Sequence, residues 1–121
     1  MIRGSVHWAD LVPRSGSEQR GRRPVVIVSH DGFNRVRAWR SLIVVPLTTS
    51  EVQMRRGPSA IYLRASRTGL PLDSVVLCHQ VTTLDRGKIG ARIVALDLET
   101  IALIEVGLLH AMDLSRSAHA A

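Results

Sequence analysis

Four consecutive β-branched aliphatic residues, Val25-Val26-Ile27-Val28, constrain this fold more than any other stretch of the chain. Such side chains are stiff and pack well on a pleated surface. A half-exposed strand would alternate apolar with polar residues, whereas an unbroken run requires burial on both faces. The run is entered through Gly16-Ser17-Glu18-Gln19-Arg20-Gly21-Arg22-Arg23-Pro24, a polar and basic segment. Proline is tolerated where a strand begins because it has no N–H to leave unpaired. Arg23-Pro24 is therefore expected to open the strand, with a guanidinium at its tip.

Further strands are expected on either side. Val6 to Leu11 alternates well enough for a first strand, and Pro13 through Gly21 supplies the residues of a loop. Leu42 to Val45 predicts a third strand, closed by Pro46 and followed by the hydroxyls of Thr48 and Thr49. Between them, His30 to Arg40 is polar and turn-rich, with room for a short helical turn. Residues 48 to 58 predict a second exposed loop that carries Arg55 and Arg56. Ala60 to Leu63, Ser74 to Val81 and Arg92 to Val94 predict three more strands, six in all, at a spacing that suits a compact barrel-like sheet.

At Asp97 the period changes. Asp97 suits a helix cap, Glu99 suits the first turn, and Ile101, Ile104, Leu108 and Met112 recur at helical spacing. Leu103, Val106 and Leu109 fall off that stripe, which leaves the helix apolar on more than one face and suited to touching a second chain. The fold class expected is mostly β with a C-terminal α-helix. Residues 1–114 read as a single domain and 115–121 as a disordered tail.

Charge narrows the partners. The chain of 121 residues has 16 basic and 10 acidic side chains, and 15 of the basic ones are arginine. Residues 1–70 carry a net +8 and residues 71–121 a net −2, so the basic surface belongs to the first half. Arginine's planar fork matches phosphate oxygens bidentately, and a polyanionic partner follows. With only Trp8, Phe33, Trp39 and Tyr62 as aromatics, the multiple stacking platforms of an RRM or cold-shock surface are excluded.

Cys78, the lone cysteine, lies in an apolar run and is expected to be a small buried hydrophobe in a protein of the reducing cytoplasm. His7, His30, His79, His110 and His119 show neither His-x-x-x-His nor Cys-x-x-Cys spacing, so no metal or other cofactor is expected. Nor does any apolar run approach the length of a membrane span.

Three landmarks occur in fixed order: Arg3-Gly4-Ser5-Val6-His7-Trp8-Ala9-Asp10-Leu11, the Gly-Ser-Glu-Gln-x-Gly-x-Arg-Pro motif with its apolar strand, and Asp73-Ser74-Val75-Val76-Leu77-Cys78-His79-Gln80-Val81. With Leu47-Thr48-Thr49 and the closing helix, they make the chain resemble the MazF/PemK family of toxin endoribonucleases, from about Ile2 to Leu114. The resemblance implies an SH3-like barrel (the CcdB/MazF/PemK toxin fold) and an mRNA interferase. Such an enzyme cuts single-stranded RNA without metal, through attack by the 2'-hydroxyl, to leave a 2',3'-cyclic phosphate and a 5'-hydroxyl. It further implies a homodimer inhibited by an acidic, MazE-like antitoxin.

By place in the motif, Arg23 and Thr48 match the family's catalytic arginine and threonine. Glu18, Gln19, Arg20, Thr49 and Gln80 match positions bordering the RNA groove, with Ser74 and Asn34 as weaker candidates. His30 and His79 are the histidines nearest these motifs and titrate in a useful range, although strand-end packing explains each equally simply. Residues 50–70 and 86–92 match no family motif and are expected to set the target sequence. Two other readings stay open at this point: a CcdB-like toxin that binds DNA gyrase without cutting nucleic acid, and a non-catalytic RNA-binding barrel.

Overall fold

The computed structural model describes residues 1–11, 21–49 and 57–114. Among these, seven strands are present: β1 (Ser5–Leu11), β2 (Gly21–Ile27), β3 (Ser41–Thr48), β4 (Ala60–Leu63), β5 (Ser74–Leu77), β6 (Thr82–Asp85) and β7 (Ile89–Ala95). One-turn helices α1 (Asp31–Asn34) and α2 (Ala65–Thr68) occupy connections, and α3 (Leu98–Ala111) follows the last strand. The strands form one antiparallel sheet in the order β4-β5-β3-β2-β1-β7, with β6 also paired to β3. The path does not close on itself.

Two cores explain the unbroken apolar run. Val26 joins Val6, Val45, Leu47, Val76 and Ile104 in one cluster, while Val25 and Ile27 join Ala9, Leu11, Leu42, Val44 and Ile89 in the other. Adjacent residues of β2 thus serve opposite faces, both sealed from water, as the sequence predicted. Ile104, buried to 1% exposure, brings α3 onto the first cluster, a burial that contributes about 2 kcal/mol.

Helix α3 starts as expected. The Asp97 carboxylate accepts from the Thr100 backbone N–H at 2.8 Å, and bonding to Thr100 holds its pKa below the ordinary value. Ile101, Ile104 and Leu108 pack against the core, but Met112 does not. The helix ends at Ala111, Met112 is its exposed C-cap, and Ala111 takes the packing position instead.

Several strand boundaries differ from expectation, among them that of β7, which starts at Ile89 and ends at Ala95 where only Arg92 to Val94 was expected. Strand β2 begins at Gly21, ahead of Arg23-Pro24, because Arg22 and Arg23 already pair with Asp10 and Ala9 of β1. Strand β3 runs through Pro46 to Thr48. Pro46 falls between the stretch paired with β6 (Ser41–Val44) and the stretch paired with β5 (Leu47–Thr48), where a missing N–H interrupts neither ladder.

The expected fifth strand, Ser74 to Val81, is in fact two elements. Strand β5 stops at Leu77, Cys78–Gln80 form a 3-10 turn, and the chain returns as β6. The turn sets Cys78 beneath α3, its Sγ 3.7 Å from the Ile104 carbonyl oxygen. Burial pushes this thiol up to about 11 from an ordinary 9.0, which fits an inert core residue.

A raised thiol pKa favours the folded state fully below about pH 9, where the unfolded thiol would ionise, and that advantage is lost as pH rises toward 11. Urea denaturation of the wild type should therefore show stability falling between those limits. The Cys78→Ala variant should lack that component, and equal slopes for the two proteins would refute the assignment.

Candidate functional site

At one end of the sheet, β2 and β3 stop pairing. Their ladder runs Ile27–Val44, Val26–Val45, Val25–Pro46 and no further. Pro46 and Pro24 both lack an N–H, so neither can donate to extend it. Continuing the register by two residues sets Arg23 opposite Thr48. Both line a cleft of about 220 Å³, together with Thr49, Trp8, Arg22 and Ser74. Leu70, Pro71, Leu72 and Ile93 supply its apolar wall.

The cleft thus gathers two guanidinium groups and two threonine hydroxyls at one strand end. On the other side of β3, Thr48 pairs with Val75, and the next step in that register sets Thr49 opposite Ser74. The Ser74 hydroxyl is committed to the Leu72 carbonyl at 2.9 Å, so Ser74 shapes the wall. An arrangement of this kind can hold a phosphate between a fixed positive charge and hydroxyl donors.

Trp8 and Arg22 carry a feature that reading along the chain missed. The Arg22 guanidinium lies 5.2 Å from the centre of the Trp8 ring, a cation–π contact. Both residues also line a second cleft of about 170 Å³, with Ala9, Asp10, Gly87, Lys88 and Gly90. The two clefts meet at this pair. A signal was present in the sequence, since Trp8 is one of four aromatics and Arg22 adjoins Arg23, but nothing in one dimension shows them stacked across two strands.

Several other candidates lie elsewhere. Gln80 sits half-buried on the 3-10 turn and is not among the residues lining either cleft. Asn34 is buried in α1, where its amide donates to the Ser29 carbonyl and the Asp31 carboxylate and its oxygen accepts from the Ser29 hydroxyl. That makes it a structural residue of the loop. Nδ1 of His30 accepts from the Gly32 backbone N–H at 2.8 Å and caps α1, and His79 is exposed beside the buried Cys78.

Glu18, Gln19 and Arg20, with Arg55 and Arg56, lie outside the described residues. Of the 86–92 stretch, Arg86 is committed to architecture. Its guanidinium donates to the carbonyls of Phe33, Asn34, Val36 and Trp39, which fastens the connection between α1 and β3.

Comparison with known proteins then fixes the lineage. The family described as the PemK-like, MazF-like toxin of type II toxin–antitoxin systems matches residues 2–112. The chain belongs to this family. Endoribonuclease EndoA of Bacillus subtilis is similar at 35% identity over 106 residues, covering 88% of this chain and 89% of its own.

Among solved structures, a mycobacterial endoribonuclease in complex with its cognate antitoxin superimposes with a TM-score of 0.75 at 27% identity, covering 95% of this chain and 97% of that one. MazF from Deinococcus radiodurans shares the fold at a TM-score of 0.77 and 23% identity, covering 94% and 97%. The MazF/PemK toxin fold expected from the motifs is therefore correct, in the form of an open seven-stranded sheet with its C-terminal helix.

Proposed function

We propose that this MazF/PemK toxin is a sequence-specific endoribonuclease that cuts single-stranded RNA without metal and is held in check by an acidic antitoxin. The observation that carries this reading is the convergence of Arg23 and Thr48 on one cleft at the end of β2 and β3. The endoribonuclease names of the relatives support it, and one similar structure is an endoribonuclease bound to its cognate antitoxin.

The chemistry asks little of the protein. The substrate supplies the nucleophile: its 2'-hydroxyl oxygen bonds to the adjacent phosphorus, the bond to the 5'-oxygen breaks, and a 2',3'-cyclic phosphate and a 5'-hydroxyl result. The 2'-hydroxyl loses a proton and the departing 5'-oxygen gains one. Arg23, with its permanent charge, clamps the non-bridging oxygens as negative charge accumulates. Thr48 donates to the same phosphoryl group or orients the attacking hydroxyl. Thr49 stands beside it.

The enzyme acts in the cytoplasm as a homodimer. Exposed Leu98 and Leu103 on α3 and exposed Tyr62 on the edge strand β4 offer apolar surface to a second copy, and the net +8 of residues 1–70 suits an acidic inhibitor. No helix of the described residues is long and apolar enough to cross a membrane.

Incubation with a long unstructured RNA in EDTA, followed by mapping of both new ends, tests this reading. Cuts at a short recurring sequence with cyclic-phosphate ends are expected. Intact RNA overturns it, and RNA that is bound but uncut favours the non-catalytic barrel. Gyrase inhibition without RNA cleavage would favour the CcdB-like alternative.

A further inference from the structure

We infer that the second cleft is a nucleotide subsite, one step along the RNA from the scissile phosphate, in which a base lies against the Trp8–Arg22 pair and Lys88 holds its phosphate. This rests on the nuclease reading of the first cleft and goes beyond it, because that reading gives Trp8, Asp10, Arg22 and Lys88 no role.

Continuity is the first argument. Trp8 and Arg22 line both clefts, so the second cleft is the immediate neighbour of a scissile linkage held at Arg23 and Thr48. Size is the second: about 170 Å³ has room for one planar base and little more.

Charge is the third argument. Asp10 and Arg22 are cross-strand partners in the β1–β2 register, the usual setting for an ion pair, yet none forms. The guanidinium is drawn over the indole ring instead. Lys88 likewise makes no ion pair among the described residues, because the neighbouring Asp85 carboxylate is taken by Arg40 and by the Gly87 backbone N–H. Among the described residues the cleft thus brings together the Lys88 ammonium, whose charge also acts on Asp85, the Asp10 carboxylate and a cationic aromatic stack.

These groups match one nucleotide. The indole and guanidinium planes stack on a base and tolerate any sequence. Lys88 meets the phosphate as a point charge. The Asp10 carboxylate accepts only, so it meets a donor on the base edge, an exocyclic amino group or the N3–H of uracil, and does not by itself select among the bases.

Lys88 is the only lysine of the chain, which makes a direct test possible. Once cleavage mapping has given a target, an RNA spanning it with a single 2'-deoxy substitution at the scissile position binds without reacting. Acetylation of Lys88 by an amine reagent, read by mass spectrometry, should slow at least about 5-fold when this RNA is present. The Lys88→Gln variant should raise KM for the cleavable RNA about 10-fold with kcat unchanged, and reduce the salt slope of binding by about one. Arg35→Gln, which removes an equal charge from the exposed C-cap of α1, should do neither.

Trp8→Phe should stay near wild type while Trp8→Leu weakens binding about 10-fold or more. Equal labelling of Lys88 with and without RNA, together with Lys88→Gln behaving like Arg35→Gln, overturns the subsite in a protein that still cuts. If the wild type cuts nothing, the nuclease reading falls; protection of Lys88 by a generic single-stranded RNA would then still support the subsite, and its absence would end both.

Discussion

Arg23→Ala is expected to slow RNA cleavage by about 100-fold to 1000-fold, the loss typical of removing one preorganised donor to a developing anion. Thr48→Ala should fall in the same range. Arg23 is exposed and Thr48 half-exposed at a strand end, outside both hydrophobic clusters, so neither variant should lose its fold. Single-turnover rates with saturating RNA, beside a thermal melt of each variant, separate the two effects.

The proposed site has both residues acting on one phosphoryl group, so the double variant should be little slower than either single variant, as expected for groups that work as a unit. Two folded variants cutting at the wild-type rate would remove the site from β2 and β3 altogether. Arg23→Lys is the sharper probe, since it keeps the charge and discards the planar fork. Recovery of most of the rate would show that charge suffices, and a loss near that of alanine would show that bidentate geometry matters.

The second large effect concerns stability. Gly107→Val should destabilise the protein by about 3 kcal/mol, at the upper end of the range for overpacked cores. A Cβ at this position would stand 2.7 Å from Cys78 Sγ and 2.8 Å from Ile61 Cγ1. Those atoms belong to the turn after β5 and to β4, both tight against α3. The helix cannot retreat without withdrawing Ile104 from the core.

Urea denaturation of purified Gly107→Val against wild type measures the effect, read as a lower midpoint at similar slope. Gly107→Ala combined with Cys78→Ala should recover part of the loss relative to Gly107→Ala alone, because the nearest clash is then gone. No recovery would mean that Ile61 rather than Cys78 sets the helix height.

Legibility in the sequence followed the range of the interactions involved. Val25 to Val28 announces a doubly buried strand because period and branching are local properties, and Asp97 announces a helix start because a cap reaches only three residues. Arg23 and Thr48 were legible through a motif, and register explains why such distant positions share a cleft. By contrast, β6 lies just beyond the expected fifth strand and went unread, since nothing local marks the place where a chain leaves one end of β3 and rejoins the other.

Gly107 reads along the chain as a mere cost to the helix, and its purpose lies in Ile61 and Cys78. Asn34 was a weaker groove candidate in the sequence, and only the folded loop reveals that its amide is used inward, on Ser29 and Asp31. Trp8 and Arg22 escaped notice for the converse reason: each looks ordinary until two strands set them together.

The imino residues at positions 24 and 46 have a mechanical corollary. Where β2 and β3 part, neither can contribute an amide hydrogen to the seam. The position of Arg23 is therefore set through its pairing with Ala9 on one side of the cleft and that of Thr48 through its pairing with Val75 on the other, so the outer strands, more than the central seam, fix the width of the phosphate grip.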